Sequence, residues 1–214
     1  MSGPDLVGEG LACRRGERLV FAGLSCRLAA GGALVLTGAN GSGKSSLLRL
    51  LATLIAPAAG SLRWGEAPLS RDAVEYRAGL HYLGHLDAIK PALTPREILA
   101  FWAGLRGGRN PAIGRALDFF GLGAAADWPC RWLSAGQRRR LALARLIAVP
   151  APVWLLDEPL SALDAEGEER LVSAIAAHRA AGGRVALATH QPIALADAAT
   201  LSLDAFAPAR APAP

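Results

Sequence analysis

One stretch links an apolar run, through a glycine-rich loop, to a leucine-rich run: Ala33-Leu34-Val35-Leu36-Thr37, Gly38-Ala39-Asn40-Gly41-Ser42-Gly43-Lys44-Ser45-Ser46, Leu47-Leu48-Arg49-Leu50-Leu51. The first run predicts a buried strand, and the leucines after the loop recur at helical spacing until Pro57. Between a strand and a helix, such a loop turns its backbone N–H groups and the positive end of the helix towards phosphates. The sequence therefore predicts a nucleoside triphosphate site over residues 38–46, in which Lys44 meets the β and γ phosphates and Ser45 ligates Mg²⁺.

Composition indicates a globular chain with a single core. Its 214 residues are 52% hydrophobic and 19% charged, which excludes disorder and fits one domain, or one core with a smaller subdomain. The most apolar stretch, 141–156, contains Arg145 and two prolines, so it is not expected to cross a bilayer. No secretory signal is expected at the N-terminus and the three cysteines are spaced singly, which predicts a cytoplasmic chain with reduced thiols.

Hydrophobic patterning divides the chain into a core and an insertion. Short apolar runs between residues 11 and 37, such as 19–21 and 25–28, predict strands, and so do 153–156 and 184–189, with a helix near 168–179. From about Gly84 to Pro150 the pattern is helical, and Thr94 with Glu97 forms a predicted capping box. We expect four parts: a β subdomain with the phosphate loop over 1–83, a helical subdomain over 84–150, the rest of the core over 151–203 and a disordered tail over 204–214.

Two carboxylates follow the predicted strand 153–156. Asp157 and Glu158 stand where a phosphate-transfer site needs acidic groups. We expect Asp157 to hold Mg²⁺ through water, and Glu158 to orient and deprotonate the attacking water. An acidic pair at a strand end is more often a solvated loop start, but its pairing with the phosphate loop favours the catalytic interpretation.

Two further motifs give the chain a family resemblance. Leu133-Ser134-Ala135-Gly136-Gln137 resembles the signature of the ABC transporter ATPases, and Ser161-Ala162-Leu163-Asp164 resembles their D-loop. The resemblance implies an α/β fold, a P-loop ABC nucleotide-binding domain with a RecA-like core, an antiparallel β subdomain and an inserted helical subdomain. It also implies ATP and Mg²⁺ as cofactors, and a dimer in which the signature of one copy closes on the γ phosphate bound by the other. The family usually has glycine at position 135, and Ala135 is tolerable if its φ stays negative.

Three more positions take roles from this resemblance. His190 is similar to the switch histidine that hydrogen-bonds the γ phosphate. His85 stands where the family normally has a glutamine that senses Mg²⁺ and the γ phosphate. Because imidazole accepts from a metal-bound water only when neutral, we expect pH-sensitive coupling there, the alternative being that His85 merely fills the hinge. Arg15 aligns with the aromatic residue that stacks on adenine, which predicts weak discrimination between ATP and GTP.

Short motifs narrow the resemblance to one subfamily. They are Arg15-Gly16-Glu17-Arg18, Gly84-His85 with Ile89-Lys90 and Leu93-Thr94, Leu133-Ser134-Ala135-Gly136-Gln137-Arg138-Arg139, and Thr189-His190-Gln191-Pro192. They resemble the ATP-binding subunit of the haem exporter used in cytochrome c maturation. The resemblance implies a peripheral protein at the cytoplasmic face of the inner membrane. Its implied partners are a second copy, an integral membrane transporter subunit, further membrane haem-handling subunits and a periplasmic haem chaperone.

The net charge of +5 raises the alternative of a nucleic-acid-associated ATPase. The dense basic run, Arg138-Arg139-Arg140, lacks interleaved aromatic residues and is interpreted as a solvated helix face. The short spacing between Lys44 and Ser134 leaves no room for a long coiled coil, so we expect no nucleic acid partner. An ATPase of another transporter, or a soluble iron–sulfur assembly ATPase, remains an alternative.

Docking to the membrane subunit is expected between residues 85 and 106. This segment carries more apolar side chains than one short helix buries on one face: Leu86, Ile89, Leu93, Ile98, Leu99, Phe101 and Trp102. The family resemblance implies that this surface receives the coupling helices of the membrane subunits.

Overall fold

Both strands and helices occur along the computed structural model, which describes residues 3–69, 73–107 and 112–208. The strands are β1 Leu6–Arg15, β2 Arg18–Leu28, β3 Ala33–Thr37, β4 Ala59–Trp64, β5 Ala67–Pro68, β6 Leu80–Leu83, β7 Val153–Asp157, β8 Arg184–Ala188 and β9 Ala199–Ser202. The α-helices are α1 Lys44–Leu51, α2 Val74–Ala78, α3 Pro95–Leu105, α4 Ile113–Phe119, α5 Ala135–Ala148 and α6 Ala165–Ala180. None of these helices is long and apolar enough to cross a bilayer.

A parallel sheet forms the centre of the molecule, with strand order β6-β7-β8-β3-β9. Every residue of β7 and β8 is buried, which explains their unbroken apolar runs. The register pairs Leu36 with Ala188, and Ala188 with Asp157. The carboxyl ends of β3, β7 and β8 therefore lie side by side, and the segments that follow them meet at one edge of the sheet.

A second, antiparallel sheet has the order β2-β1-β4-β5. The sequence did not single out β1, because Gly8 and a register shift between Gly8 and Leu11 interrupt its alternation. The predicted strands 19–21 and 25–28 belong to one strand, β2, joined through Gly23 at a φ of 71°. The two sheets confirm the predicted α/β architecture with an antiparallel subdomain.

Three helices, α3 to α5, lie between β6 and β7, and they bury side chains such as Leu99, Leu117 and Leu143 in a cluster shared with the central sheet and α6. The capping box at Thr94 is present: its hydroxyl accepts from Glu97 N, and the Glu97 carboxylate accepts from Thr94 N at 2.8 Å. A second capping box, which the sequence analysis did not predict, begins α5 at Ser134. Both helices thus satisfy their first N–H groups with their own side chains.

Several predicted boundaries are corrected. Helix α1 ends at Leu51 rather than at Pro57, because Thr53 adopts a left-handed φ of 55° that stops a helix. The predicted tail begins too early, since Leu203–Phe206 forms a 3₁₀ helix in which Leu203 is fully buried. The part of that tail from 209 to 214 lies outside the described residues.

The structure bears on two further expectations, one about the arginines of α5 and one about the cysteines. The basic run on α5 is not a solvated face, because Arg139 is buried and its guanidinium contacts Asp87 and three backbone carbonyls. All three cysteines are free, and burial raises the pKa of Cys26 to about 11, which keeps that thiol protonated and unreactive.

Candidate active site

Glycines allow the loop between β3 and α1 to curl tightly. Gly38, Gly41 and Gly43 have φ values of 131°, 82° and 106°. A Cβ on Gly43 would lie 2.7 Å from Val20 Cγ1 and 2.8 Å from Phe21 Cδ1. Only glycine therefore fits at this position, immediately before the first residue of α1.

Lys44 begins α1 and is almost fully buried. Its Nζ donates to Gly38 O at 2.7 Å and to Ala39 O at 3.1 Å, so the loop closes over its own ammonium group. The positive end of the helix adds to this charge. The loop is consequently suited to bind a polyanion such as the phosphates of a nucleotide.

Ser45, at the start of α1, and Asp157, at the end of β7, meet at the edge of the parallel sheet where its strands end. Ser45 Oγ donates to Asp157 Oδ1 at 2.9 Å, and Asp157 is buried at the end of β7. Hydroxyl and carboxylate oxygens are the ligands of a hard cation, and Mg²⁺ commonly uses one or two protein groups together with waters and substrate phosphates. Among the described residues there is no group of three or more acidic, histidine or cysteine side chains that could hold a metal ion.

Glu158 and His190 form a contact pair next to this point. Glu158 Oε2 lies 2.8 Å from His190 Nδ1 and accepts from His190 N at 3.4 Å. The backbone of Glu158 is left-handed, with a φ of 49°, and its N–H donates to Ala188 O at 2.9 Å. The adjacent strands β7 and β8 thus hold a carboxylate against an imidazole, the arrangement expected of a general base and its orienting partner.

One cavity of about 400 Å³ joins these groups. Its walls include Lys44, Ser45 and Glu158, with Arg15, Arg18, Val20, Asn40, Gly41, Gly43 and Ser46. The turn between β1 and β2 thus brings Arg15 to the predicted nucleotide cavity. Arg18 also lines this cavity. It was not predicted, since Arg15 is the residue that aligns with the family's base-stacking position.

Ser134 caps α5, and the signature residues close around this helix start. Ser134 Oγ accepts from Gln137 N at 3.1 Å, and Gln137 Oε1 accepts from Ser134 N at 2.8 Å. Ala135 is the first helical residue and is not among the residues with positive φ, so its methyl group causes no backbone strain. A Cβ on Gly136 would lie 3.0 Å from Ala162 O, which leaves little room for a larger residue.

The signature lies away from the phosphate loop of its own chain. A separate cavity of about 120 Å³ is lined by His85, Asp87, Ala135, Arg138, Arg139, Ser161 and Ala162. Neither Lys44 nor Ser45 borders it. The structure therefore does not bring His85 or Ala135 into the cavity that holds Glu158, and it places both beside the D-loop instead.

Asp164, at the end of the D-loop, caps α6. Its Oδ1 accepts from Gly167 N at 2.9 Å, which fixes the carboxylate locally. A Cβ on Gly167 would come within 2.8 Å of the same oxygen. In this chain Asp164 therefore holds the shape of the turn that connects Glu158 to α6.

Asp204 contacts the phosphate loop and was not predicted. Ala39 N donates to both of its carboxylate oxygens, at 3.0 Å and 3.2 Å. The contact spans 165 positions and no motif marks it; the signal that remained was the alternation of Leu201 and Leu203 before it. Asp204 ties the entrance of the loop to the segment after β9.

Comparisons with known proteins agree with this geometry. A family model described as ABC transporter matches residues 21–161. The cytochrome c biogenesis ATP-binding export protein CcmA of Rhodospirillum rubrum is 59% identical over 202 residues, covering 94% of this chain and 87% of the relative. The protein of the same name from Paramagnetospirillum magneticum is 52% identical over 211 residues, covering 97% of each chain.

Solved structures show the same fold. One is described as the dimeric structure of a post-hydrolysis state of the ATP-binding cassette MJ0796 bound to ADP and Pi. It matches with a TM-score of 0.74 at 22% identity, covering 87% of this chain and 88% of that one. The resemblance that the signature and D-loop motifs suggested is confirmed, and the chain belongs to the ABC transporter family of ATP-binding proteins, within its CcmA group.

Proposed function

We propose that this chain is the ATP-hydrolysing subunit of an ABC transporter complex that serves cytochrome c biogenesis. Members of its family are ATPases, and its relatives carry the name of a cytochrome c biogenesis export protein. One observation carries the hydrolytic part of the proposal: Lys44, Ser45 and Glu158 line a single cavity, with Asp157 and His190 in contact with two of them.

Five residues in or beside this cavity have roles in the proposed phosphate transfer. Lys44 neutralises the β and γ phosphates. Ser45 and Asp157 would hold Mg²⁺, which would supply positive charge for the phosphate oxygens. Glu158 accepts a proton from the attacking water. Because Glu158 Oε2 already contacts His190 Nδ1, the other carboxylate oxygen, Oε1, receives this proton. The second ring nitrogen, His190 Nε2, remains to contact the γ phosphate.

A second copy of the chain completes the site. None of the signature residues 134–137 is among the residues that line the cavity of Lys44, and Ala135 borders a separate cavity, which supports closure of the signature on the nucleotide of another copy. The exposed start of α5 at Ser134 presents helix N–H groups that suit a phosphate of another copy. The dimer seen in the related cassette MJ0796 supports this arrangement.

A smaller apolar surface than the sequence analysis expected receives the membrane subunit. Leu86, Phe101 and Leu105 are 84%, 56% and 62% exposed, which is costly for large apolar side chains unless a partner covers them. Ile89 is half-buried against the helical core, and Trp102 packs under Arg145 with 4.2 Å between guanidinium and ring. We therefore place the docking surface at Leu86, Phe101 and Leu105.

This surface fits an integral membrane transporter subunit, and it holds the chain at the cytoplasmic face of the inner membrane. The subfamily resemblance adds membrane haem-handling subunits and a periplasmic haem chaperone as further partners. A soluble iron–sulfur assembly ATPase is a weaker alternative, because its name is not that of the relatives at 52–59% identity.

Complementation in cells tests the biogenesis part. In a host whose own copy is deleted, the wild-type chain should restore mature c-type cytochromes, whereas Lys44→Ala should not. Asp127→Asn, which breaks only an exposed ion pair with Arg96, is the matched control and should restore them. Normal cytochrome c levels in the deletion host would overturn the biogenesis assignment and leave an ATPase of another transporter.

A further inference from the structure

Arg139 is a buried cation at the junction of three motifs. It lies on α5, shortly after the signature, and its side chain is 4% exposed. Its guanidinium donates to four acceptors: Asp87 Oδ1 at 2.6 Å, Glu158 O at 2.6 Å, Asp157 O at 3.0 Å and Pro159 O at 3.3 Å. One side chain therefore joins the signature helix, the loop after β6 and the backbone of the catalytic segment.

Each contact compensates part of the cost of burying a charge. A buried guanidinium needs both a counterion and partners for its remaining N–H groups. Asp87 supplies the negative charge at Nη1, and the three carbonyls accept from Nε and Nη2 of the planar fork. Lysine has the charge without this geometry, so the arrangement is specific for arginine.

Arg139 also holds a strained part of the backbone. Glu158 has a φ of 49°, a conformation that only the surrounding structure maintains in a residue other than glycine. Its N–H is fixed by Ala188 O and its carbonyl by Arg139 Nη2. The orientation of the Glu158 carboxylate against His190 thus depends on both contacts.

Asp87 connects this support to the docking surface proposed above. It lies two residues after His85 and directly after Leu86, the most exposed side chain of the docking surface. The small cavity beside Asp87 and Arg139 leaves space next to this loop. A partner that displaces the loop at Leu86 would draw Asp87 away from Arg139.

We infer that Arg139 is a positioning residue through which the loop 85–87 controls the backbone of Glu158. With Asp87 in contact, Arg139 keeps Glu158 aimed at the attacking water. When the loop moves, the guanidinium loses its counterion and the Glu158 carbonyl loses its donor. Docking at the membrane subunit is in this way converted into a change in hydrolysis rate, without a change in the groups that bind the nucleotide. The inference rests on the proposed ATPase function.

Kinetics of the full chain test this inference. The variants are Asp87→Asn, which keeps the oxygen but removes the charge, and Arg139→Lys, which keeps the charge but not the fork. Both should lower kcat for MgATP by roughly tenfold to a hundredfold, the size expected when a reacting group is misplaced. The Kd for ATP should change less than about twofold, because neither residue lines the cavity of Lys44.

Non-additivity is the decisive readout. The double variant should be no slower than the slower single variant, since both substitutions break one linkage. Asp127→Asn is the control for an ion pair in the same subdomain and should keep the wild-type kcat. Thermal unfolding of each variant separates loss of rate from loss of fold. Wild-type kcat in both single variants, additive losses, or a Kd that weakens in step with kcat would overturn the inference; a wild-type chain without ATPase activity would overturn the proposed function instead.

Discussion

Asp204 is the residue whose contact changes most what is expected of the phosphate loop. Its carboxylate accepts from Ala39 N, while Ala39 O and Gly38 O accept from Lys44 Nζ. The peptide group of Ala39 is thus fixed on both sides. A negative charge so close to a phosphate-binding loop would weaken anion binding if it did not also hold the loop in shape.

Removal of the Asp204 carboxylate should weaken nucleotide binding. Asp204→Ala should raise the Kd for ATP by about threefold to tenfold, since a hydrogen bond to a charged group contributes about 1.5–3 kcal/mol and part of this acts on the loop. Asp204→Asn keeps an acceptor and should bind nearly as well as the wild type. Equilibrium binding of ATP by calorimetry measures both, and unchanged or tighter binding by Asp204→Ala would show that the contact does not shape the loop.

Arg15 lines the nucleotide cavity, and we expect it to determine how well the site distinguishes bases. Stacking on an aromatic platform contributes about 1–3 kcal/mol per base, and a guanidinium offers less area. GTP should therefore compete with ATP almost equally in the wild type. Arg15→Tyr should tighten ATP binding, with Arg14→Tyr, at a residue outside the cavity, as the control. A strong preference of the wild type for ATP would mean that the base is recognised elsewhere.

Individual site residues could be predicted from the sequence where they belong to a contiguous motif. Lys44 and Ser45 stand in one loop, Asp157 and Glu158 in one pair, and the structure gathers them in one place. Asp204 and Arg139 were not predicted because their partners lie far along the chain. A contact of this kind follows from the register of the sheet, which a single sequence does not specify.

Strand β6 carries a histidine whose environment makes the fold sensitive to acid. His81 Nε2 lies 2.5 Å from Val149 O, at the end of α5, and burial lowers the pKa of His81 to about 3. Burial also lowers the pKa of His178, on α6, to about 4. His178 stacks on Trp154 with 3.8 Å between ring centroids. Both imidazoles are therefore neutral in the folded state.

The free energy of unfolding should decrease as the pH drops below the pKa of an exposed histidine. The folded pKa of His81 lies below the value near 6.5 of an exposed histidine, so the unfolded state binds the proton more readily. The contribution of neutral His81 to the free energy of unfolding is complete above about pH 6.5. It decreases by about 1.4 kcal/mol per pH unit as the pH falls from there towards 3. Urea unfolding at about pH 7.5 and about pH 5 measures this loss. His81→Gln, which retains an N–H for Val149 O, should lose less stability than the wild type; an equal loss would contradict this origin.

Elements were predicted best where their periodicity is strong and their ends are marked. Helix α3 was expected from its capping box and β7 from its apolar run. Strand β1 was missed because glycines interrupt its alternation, and the 3₁₀ helix at Leu203–Phe206 was missed because the Ala and Pro residues that follow it suggested a tail. In both cases pairing or packing with distant segments determines the structure.

Two features of the whole molecule are left incomplete in a single copy of the chain. Ala135 of the signature and the phosphate loop border different cavities, and three large apolar side chains of the loop after β6 and of α3 are open to water. The first feature supports the proposed second copy, and the second supports the proposed membrane partner. Assembly is therefore expected to control activity at this scale.

A charge on the docking surface should detach the chain from its membrane partner. Leu86→Glu or Phe101→Glu should shift the chain from the membrane fraction to the soluble fraction while its Kd for ATP stays unchanged, because neither residue lines the nucleotide cavity. Leu54→Glu changes a similarly exposed leucine after α1 and is the matched control. If Leu86→Glu and Phe101→Glu remain in the membrane fraction, the docking surface lies elsewhere.

Steady-state ATP turnover by Glu158→Gln tests the central claim most directly. The amide preserves the size and the contact with His190 but does not accept a proton, so the variant should bind MgATP with the affinity of the wild type and turn it over at least about a hundredfold more slowly. Wild-type turnover by Glu158→Gln would contradict the account, because the proton of the attacking water would then go to another group.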